Sequence, residues 1–255
     1  MRSIFELCVP RQEVLKGELS EDIFAARLKD VITGDADPIY KDPDIFFENT
    51  YPTAGLKTLI KDVVSRLTGN GFGTNAVLRL ETAFGGGKTH NLIALYHIAR
   101  GKITNPAIKK FISPDLRLPG SGEVSIAGIV GSDLEPEIGI NHPTENIRTH
   151  TLWGELAFQL GGSKGFKIVE SSDEKKVAPG TGFLEEIIGD EPTLIMIDEI
   201  ARHLRTAKAI KVETEQSTLA DQTVAFLMAL LEFASSKVKC VVVLTLARET
   251  DAFGH

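Results

Sequence analysis

Four short apolar runs, each bounded by glycine, lysine or acidic residues, constrain this chain more than any other feature. They are "AVLRLET" from Ala76, "GEVSIAGIVGSD" from Gly122, "TLIMIDEI" from Thr193 and "KCVVVLTLA" from Lys239. Runs that are mostly apolar on both alternating faces suit strands covered on both sides. Helical patterns separate them. "THNLIALYHIAR" ends at Gly101, and "TLWGELAFQLGG" sets Leu152, Leu156, Ala157 and Leu160 on one face before a glycine pair. "FLEEII" is a short helix and "STLADQTVAFLMALLEFASS" a long apolar one. Strands alternating with helices predict an α/β chain, a parallel sheet in a three-layer sandwich.

The first 70 residues read differently. "EDIFAARLKDVI" repeats apolar residues at Ile23, Phe24, Leu28 and Ile32, and "PTAGLKTLIKDVVSRL" places Leu56, Leu59, Ile60, Val63, Val64 and Leu67 along one helical face. Between them "GDADPIYKDPDIFFENTYPT", rich in Asp and Pro, is expected to be an ordered loop anchored by its aromatic residues. The expected division is a helical segment over 1–70 and a sheet-bearing core over 71–255.

Bulk properties narrow the function classes. The chain has 255 residues and a net charge of -7, which gives no global basic footprint for nucleic acid. No apolar run reaches the ~20 residues that span a bilayer, and "MRSIFELCVPRQEVLKGELSEDIF" meets charge too early for a secretory leader. Cys8 and Cys240 are too far apart in sequence to suggest a disulfide framework or a zinc site. A cytoplasmic setting without membrane contact is expected.

The stretch "ETAFGGGKTH" follows the first apolar run directly and precedes a helix. It approaches the phosphate-loop pattern G-x-x-x-x-G-K-[ST], except that Thr82 stands where the first glycine belongs. The strand before and the helix after supply the context that the chemistry requires. Gly85, Gly86 and Gly87 allow positive φ and close approach of backbone N–H groups to phosphate oxygens. The helix adds the positive end of its dipole. Lys88 is expected at the β- and γ-phosphates, the Thr89 hydroxyl on Mg2+, and the N–H groups of Thr89 and His90 near the α- and β-phosphates. The alternative is a flexible turn followed by a solvated lysine.

"TLIMIDEI" decides between them, because it runs an apolar strand into two acids. In phosphate-loop ATPases a carboxylate ending a neighbouring strand holds the magnesium shell. Asp198 takes that role, and Glu199 is expected to act as general base on water. Thr245, near the end of the last strand, is placed at the γ-phosphate or the attacking water, against the alternative of an ordinary β-favouring threonine. Arg202 and Arg205 follow the third strand of this set and Arg248 the fourth; solvated positions and a role at a neighbouring subunit's nucleotide are both open. His142 and His150 lack metal-like spacing, and His97 reads as structural. The expected fold is thus of the P-loop NTPase type, binding ATP and Mg2+.

Several separated blocks carry a resemblance. "ETAFGGGKTHNLIALYHIA", "TLWGELAFQLGG", "APGTGFLEEII" and "TLIMIDEIARHL", with "CVPRQEVLKGELSEDIFAARL" and "DPDIFFENTYPTAGLKTLI" at the N-terminal side, resemble the N-terminal part of large AAA-like ATPases of prokaryotic phage-defence islands. That family carries a conserved domain of unknown function, and its genes neighbour adenine-specific DNA methylases and helicases. The resemblance implies ATP hydrolysis coupled to conformational change in DNA modification or restriction, with a methylase or helicase as partner, contact with DNA, and homo-oligomers in the full-length form. It carries over to Gly85, Gly86, Gly87, Lys88, Thr89, Asp198 and Glu199. A complete AAA-type module continues with another strand, an arginine finger and a helical lid; none is located before "ARETDAFGH", so a C-terminally shortened core is expected. That shortening motivates a second function class, a nucleotide-gated binding module with little or no hydrolysis. A small-molecule kinase is a third, for which neither acceptor pocket nor arginine-bearing lid is found.

Overall fold

The computed structural model describes Leu15 and residues 26–71, 73–82, 87–212 and 216–247. Along the chain these form helices α1 (Leu28–Thr33), α2 (Pro38–Lys41), α3 (Pro43–Asn49) and α4 (Ala54–Leu67), strand β1 (Val77–Thr82) and helix α5 (Lys88–Arg100). A 3-10 turn at Pro106–Lys110 leads to β2 (Ser125–Val130), the hairpin strands β3 (Ile140–His142) and β4 (Ile147–Thr149), α6 (Leu152–Lys175) and α7 (Gly182–Ile187). Then come β5 (Thr193–Asp198), α8 (Ile200–Ala207), α9 (Leu219–Ser236) and β6 (Cys240–Ala247).

The four apolar runs form one sheet in the order β1-β6-β5-β2, with every pair parallel. All four carboxyl ends therefore lie along one edge. The register sets Leu80 beside Thr245 and Val130 beside Asp198. Every residue of β5 is buried, and its side chains divide by parity. Leu194 and Met196 enter one core with Val241 and Val243 of β6; Ile195 and Ile197 enter the other with Val242 and Leu244. This is the physical content of an apolar run without alternation: both faces have a helical layer to bury against. The result is a mixed α/β fold on a parallel sheet.

One layer is supplied by α1, α3, α4 and α5, the other by α6 to α9. The helices of the first 70 residues thus share a core with α5 and with one face of β5 and β6. In α4 the predicted stripe holds: Leu56, Leu59, Ile60, Val63, Val64 and Leu67 are all buried, behind a Thr53 cap. Of the earlier pattern, Leu28 lies in α1 and is buried, whereas Ile23 and Phe24 fall outside the described residues, as does Cys8.

One expectation is corrected and another extended. The Asp- and Pro-rich stretch is not a loop but the helices α2 and α3. Asp37 and Asp42 each accept backbone N–H groups at an N-cap, and Pro38 and Pro43 follow at the first helical position, where a missing N–H costs nothing. The glycine pair after Leu160 does close the first helical stretch of α6, but a second stretch follows it directly where no helix was expected. At Gly162 the backbone leaves helical geometry (φ 58°, ψ -149°), and helix resumes to Lys175. The continuation is held by buried Phe166 and Val169 and by Asp173, which accepts from the backbone N–H groups of His150 and Thr151.

Arg66 ties the first layer to the sheet. Its guanidinium is buried and donates to the carbonyls of Cys240 (2.8 Å), Thr74 (2.9 Å), Ala234 (3.2 Å) and Lys237. It therefore caps the C-terminal end of α9 and the entry to β6 together. Arg66→Met leaves these carbonyls without their donor and is expected to cost about 3 kcal/mol, read as a lower urea midpoint at unchanged m-value. His97, in the same layer, is buried, and burial pulls its pKa down to about 4. Its unfolded form protonates first, so stability falls as pH drops below about 6.5 towards 4, by about 2 kcal/mol at pH 5. Urea titrations at pH 7 and pH 5 should show this slope, and His97→Gln should flatten it.

Candidate functional site

At the carboxyl edge of the sheet, β1 ends at Thr82 and α5 begins at Lys88. Gly85 and Gly86 lie outside the described residues. Gly87 is the helix N-cap, in the left-handed region (φ 75°, ψ 20°), and no side chain caps the helix there. The first N–H groups of any helix lack an intrahelical acceptor, so α5 presents those of Lys88, Thr89 and His90 at its positive end. Asn91 is the first to bond within the helix, donating to the Gly87 carbonyl at 3.0 Å. Lys88 and Thr89 are both half-buried.

Asp198 is the focus. It is the last residue of β5, 3% exposed, and both of its carboxylate oxygens accept from threonine hydroxyls. Thr89 Oγ1 donates to Oδ2 at 2.7 Å, and Thr245 Oγ1 donates to Oδ1. Thr245 in turn accepts the Glu199 backbone N–H at 3.0 Å. Thr89, Asp198 and Thr245, expected together from sequence, are brought together here through side-chain hydrogen bonds.

Glu199 stands immediately beyond, as the N-cap of α8, with φ 51° and ψ 32°. A left-handed backbone is costly for a residue with a side chain. Two contacts hold it. Thr245 takes its N–H, and Gly131, just past β2, lies so close that a Cβ there would stand 2.5 Å from the Glu199 carbonyl oxygen. Gly131 also donates its N–H to the Asp198 carbonyl at 2.7 Å. The Glu199 side chain is 40% exposed, and its carboxylate pairs with Arg202 Nη1 at 3.0 Å. Arg205 is exposed further along α8, and Arg248 falls outside the described residues.

The described histidines have structural partners. His142 meets Glu155 at 2.9 Å, and hydrogen bonds from His142, Gln159 and Thr149 hold the Glu155 carboxyl below its usual range despite its burial. His150 meets Asp173 at 3.2 Å. His97 donates from Nε2 to the Tyr40 carbonyl at 2.7 Å. His90 directs its imidazole to Thr50 and Phe46, and burial lowers its pKa. Sequence reasoning passed over Thr50 and Gly131. Gly131 carried one usable signal, a glycine one step past an apolar strand; Thr50 carried none.

The donor set suits a particular ligand. A carboxylate and a hydroxyl are hard oxygen donors of the kind magnesium selects, and a helix start with an open glycine cap suits an anion; a Cβ at Gly87 would meet nothing within 4 Å. No group of three or more metal-ligating His, Cys, Asp or Glu side chains occurs among the described residues. Any cation here would depend on ligand oxygens and water as well as on Thr89 and Asp198.

A family model for the DUF499 N-terminal domain matches residues 5–254, and the chain belongs to that family. No curated protein matches the sequence. No helix among the described residues is long and apolar enough to cross a membrane.

Thr245→Val removes the donor to Asp198 and the acceptor of the Glu199 N–H at constant shape. Two polar groups are stranded, so a stability loss of about 2–3 kcal/mol is expected, whereas Thr245→Ser should recover most of it. Urea unfolding of the two variants checks this.

Proposed function

We propose that this chain is a Mg-ATP-binding protein of the P-loop NTPase, AAA-like type, and that it hydrolyses ATP to drive a conformational change. The observation that carries the reading is the 2.7 Å hydrogen bond between Thr89 and Asp198. It joins the helix that follows the glycine loop to the acid that ends β5, the pair of groups that shares a magnesium shell in phosphate-loop enzymes.

The residues take these roles. Gly85, Gly86, Gly87 and the N–H groups of Thr89 and His90 surround the phosphates, and Lys88 neutralises charge at the β- and γ-oxygens. Thr89 and Asp198 would hold a magnesium ion, which when bound would supply Lewis-acid stabilisation of the phosphate oxygens. Glu199 takes the proton of the attacking water as oxygen bonds to the γ-phosphorus, and the bond to the ADP oxygen breaks. Thr245 fixes the backbone of Glu199 and the orientation of Asp198. To act on water, the Glu199 carboxylate must leave Arg202, a pair between an exposed arginine and a partly exposed acid of a kind worth only about 0–1 kcal/mol.

That same pair favours a second reading. With Glu199 held by Arg202, the chain binds nucleotide and hydrolyses little, acting as a nucleotide-gated module. For the wider setting, a DNA-modification or phage-defence system with a methylase or helicase partner, DNA contact and homo-oligomers, the support is the resemblance set out above. The net charge of -7 adds nothing to a DNA contact.

Thermal unfolding with Mg-ATP, Mg-GTP and neither tests the core of the proposal. At ~100 times the dissociation constant, Mg-ATP should add about 2.7 kcal/mol of stability, and Lys88→Ala should abolish the gain; equal gains in both proteins would sink it. Phosphate release separates the two readings. Glu199→Gln should bind Mg-ATP normally and release phosphate about 10²–10⁴-fold more slowly, while negligible release by the unmodified protein favours the gated module.

A further inference from the structure

The His90 imidazole lies against the layer built by the first 70 residues. It packs on Phe46 with ring centroids 4.5 Å apart and an interplanar angle of 30°, and meets Tyr40 edge-on at 6.3 Å. Its Nε2 lies 2.9 Å from the Thr50 hydroxyl oxygen. That hydroxyl donates its one proton to the Phe46 carbonyl at 2.7 Å, so Nε2 must carry the hydrogen of the bond to Thr50. Two turns further along α5, His97 donates to the Tyr40 carbonyl at 2.7 Å and sits 5.2 Å from the Phe46 ring. The α2–α3 segment is therefore fastened to α5 at two points. The nearer one is a single residue past Thr89.

We infer that Thr50 and His90 are positioning residues through which the N-terminal helical layer sets the first turn of α5, and with it the affinity of the Thr89–Asp198 site. The identity of the ligand, a magnesium–nucleotide complex, rests on the reading given under Proposed function. Thr50 acts through the imidazole rather than on the ligand. Apolar packing against Phe46 limits how close the helix can come, but a hydroxyl–imidazole hydrogen bond also fixes direction. The turn so fixed carries the helix-end N–H groups and the Thr89 hydroxyl. Its coupling is reciprocal. A ligand that orders the first turn strengthens the hold on α3, and a partner that pulls α3 away weakens the ligand. The N-terminal layer thereby becomes a route by which nucleotide occupancy is read elsewhere on the molecule.

Thr50→Val and Thr50→Ser on the full chain test this, the first removing the hydroxyl and the second keeping it. Amide exchange in the absence of nucleotide is followed at Asn91 and Leu92, at the start of the helix, and at Ile98 and Ala99 near its end. One hydrogen bond of typical worth corresponds to about fivefold. Thr50→Val should therefore speed exchange at Asn91 and Leu92 by about that factor, leave Ile98 and Ala99 unchanged, and be rescued by Thr50→Ser. Acceleration spread evenly over α5 would mean plain loss of stability and would overturn the inference, as would no acceleration at all. Mg-ATP titrations form the second arm. Thr50→Val should raise the dissociation constant about fivefold, with Thr50→Ser close to the unmodified protein; an unchanged constant beside faster exchange overturns the link to the site. Failure of the unmodified protein to bind Mg-ATP would overturn the nucleotide reading and the affinity half of the inference, and the exchange comparison would then judge the positioning contact alone.

Discussion

A carboxylate withdrawn from water is a costly group, and the arrangement of the sheet edge follows from having to satisfy it. Asp198 is 3% exposed, and an ion in that position is tolerated only when its lone pairs are occupied. Hydroxyls from two different elements occupy them, Thr89 from α5 and Thr245 from β6. Because Thr245 also receives the Glu199 N–H, one threonine serves the strand end and the helix that follows it. Helix α5, strands β5 and β6 and helix α8 are thus registered to one another through two side chains, Asp198 and Thr245.

The strand order explains why this junction closes late in the sequence. β1 and β5 are not neighbours; β6, the last described strand, lies between them. Thr245 sits beside Leu80 on one side and near Asp198 on the other only because β6 is in place. Pairings of such long range carry a large closure cost before they return anything. Arg66 helps here, since its guanidinium gathers the end of α9 and the start of β6 onto α4, the helix before β1. The N-terminal layer is therefore structural support for the strand that completes the site.

Sequence carried the elements whose signal is local. β5 and β6 were legible because six and eight consecutive residues offered no polar face, and α4 because its stripe ran unbroken. The Asp-Pro pairs at 37–38 and 42–43 were misread, since the same dipeptides that punctuate loops also cap and start helices; what decided for helix was the burial of Phe46 and Phe47. The extension of α6 past Gly162 was hidden in a polar stretch, because its anchor, Asp173, bonds to His150 and Thr151 across the fold. Of the site, the loop, the acid pair and Thr245 lay in recognisable places along strands and helix starts. Thr50 and Gly131 matter only by proximity, and no period or spacing announces proximity.

Glu199 shows how a fixed backbone and a movable head can coexist. Its left-handed conformation costs of order 1–3 kcal/mol and is over-determined by Thr245 on one side and Gly131 on the other. Any larger residue at 131 would collide with the Glu199 carbonyl, so the strain is defended by a second position with no chemistry of its own. The side chain is under no such restraint. It is 40% exposed, and Arg202, with which it pairs, is 69% exposed; a pair of that kind is cheap to break. Strain is thus held in the backbone of Glu199, and freedom remains in its side chain.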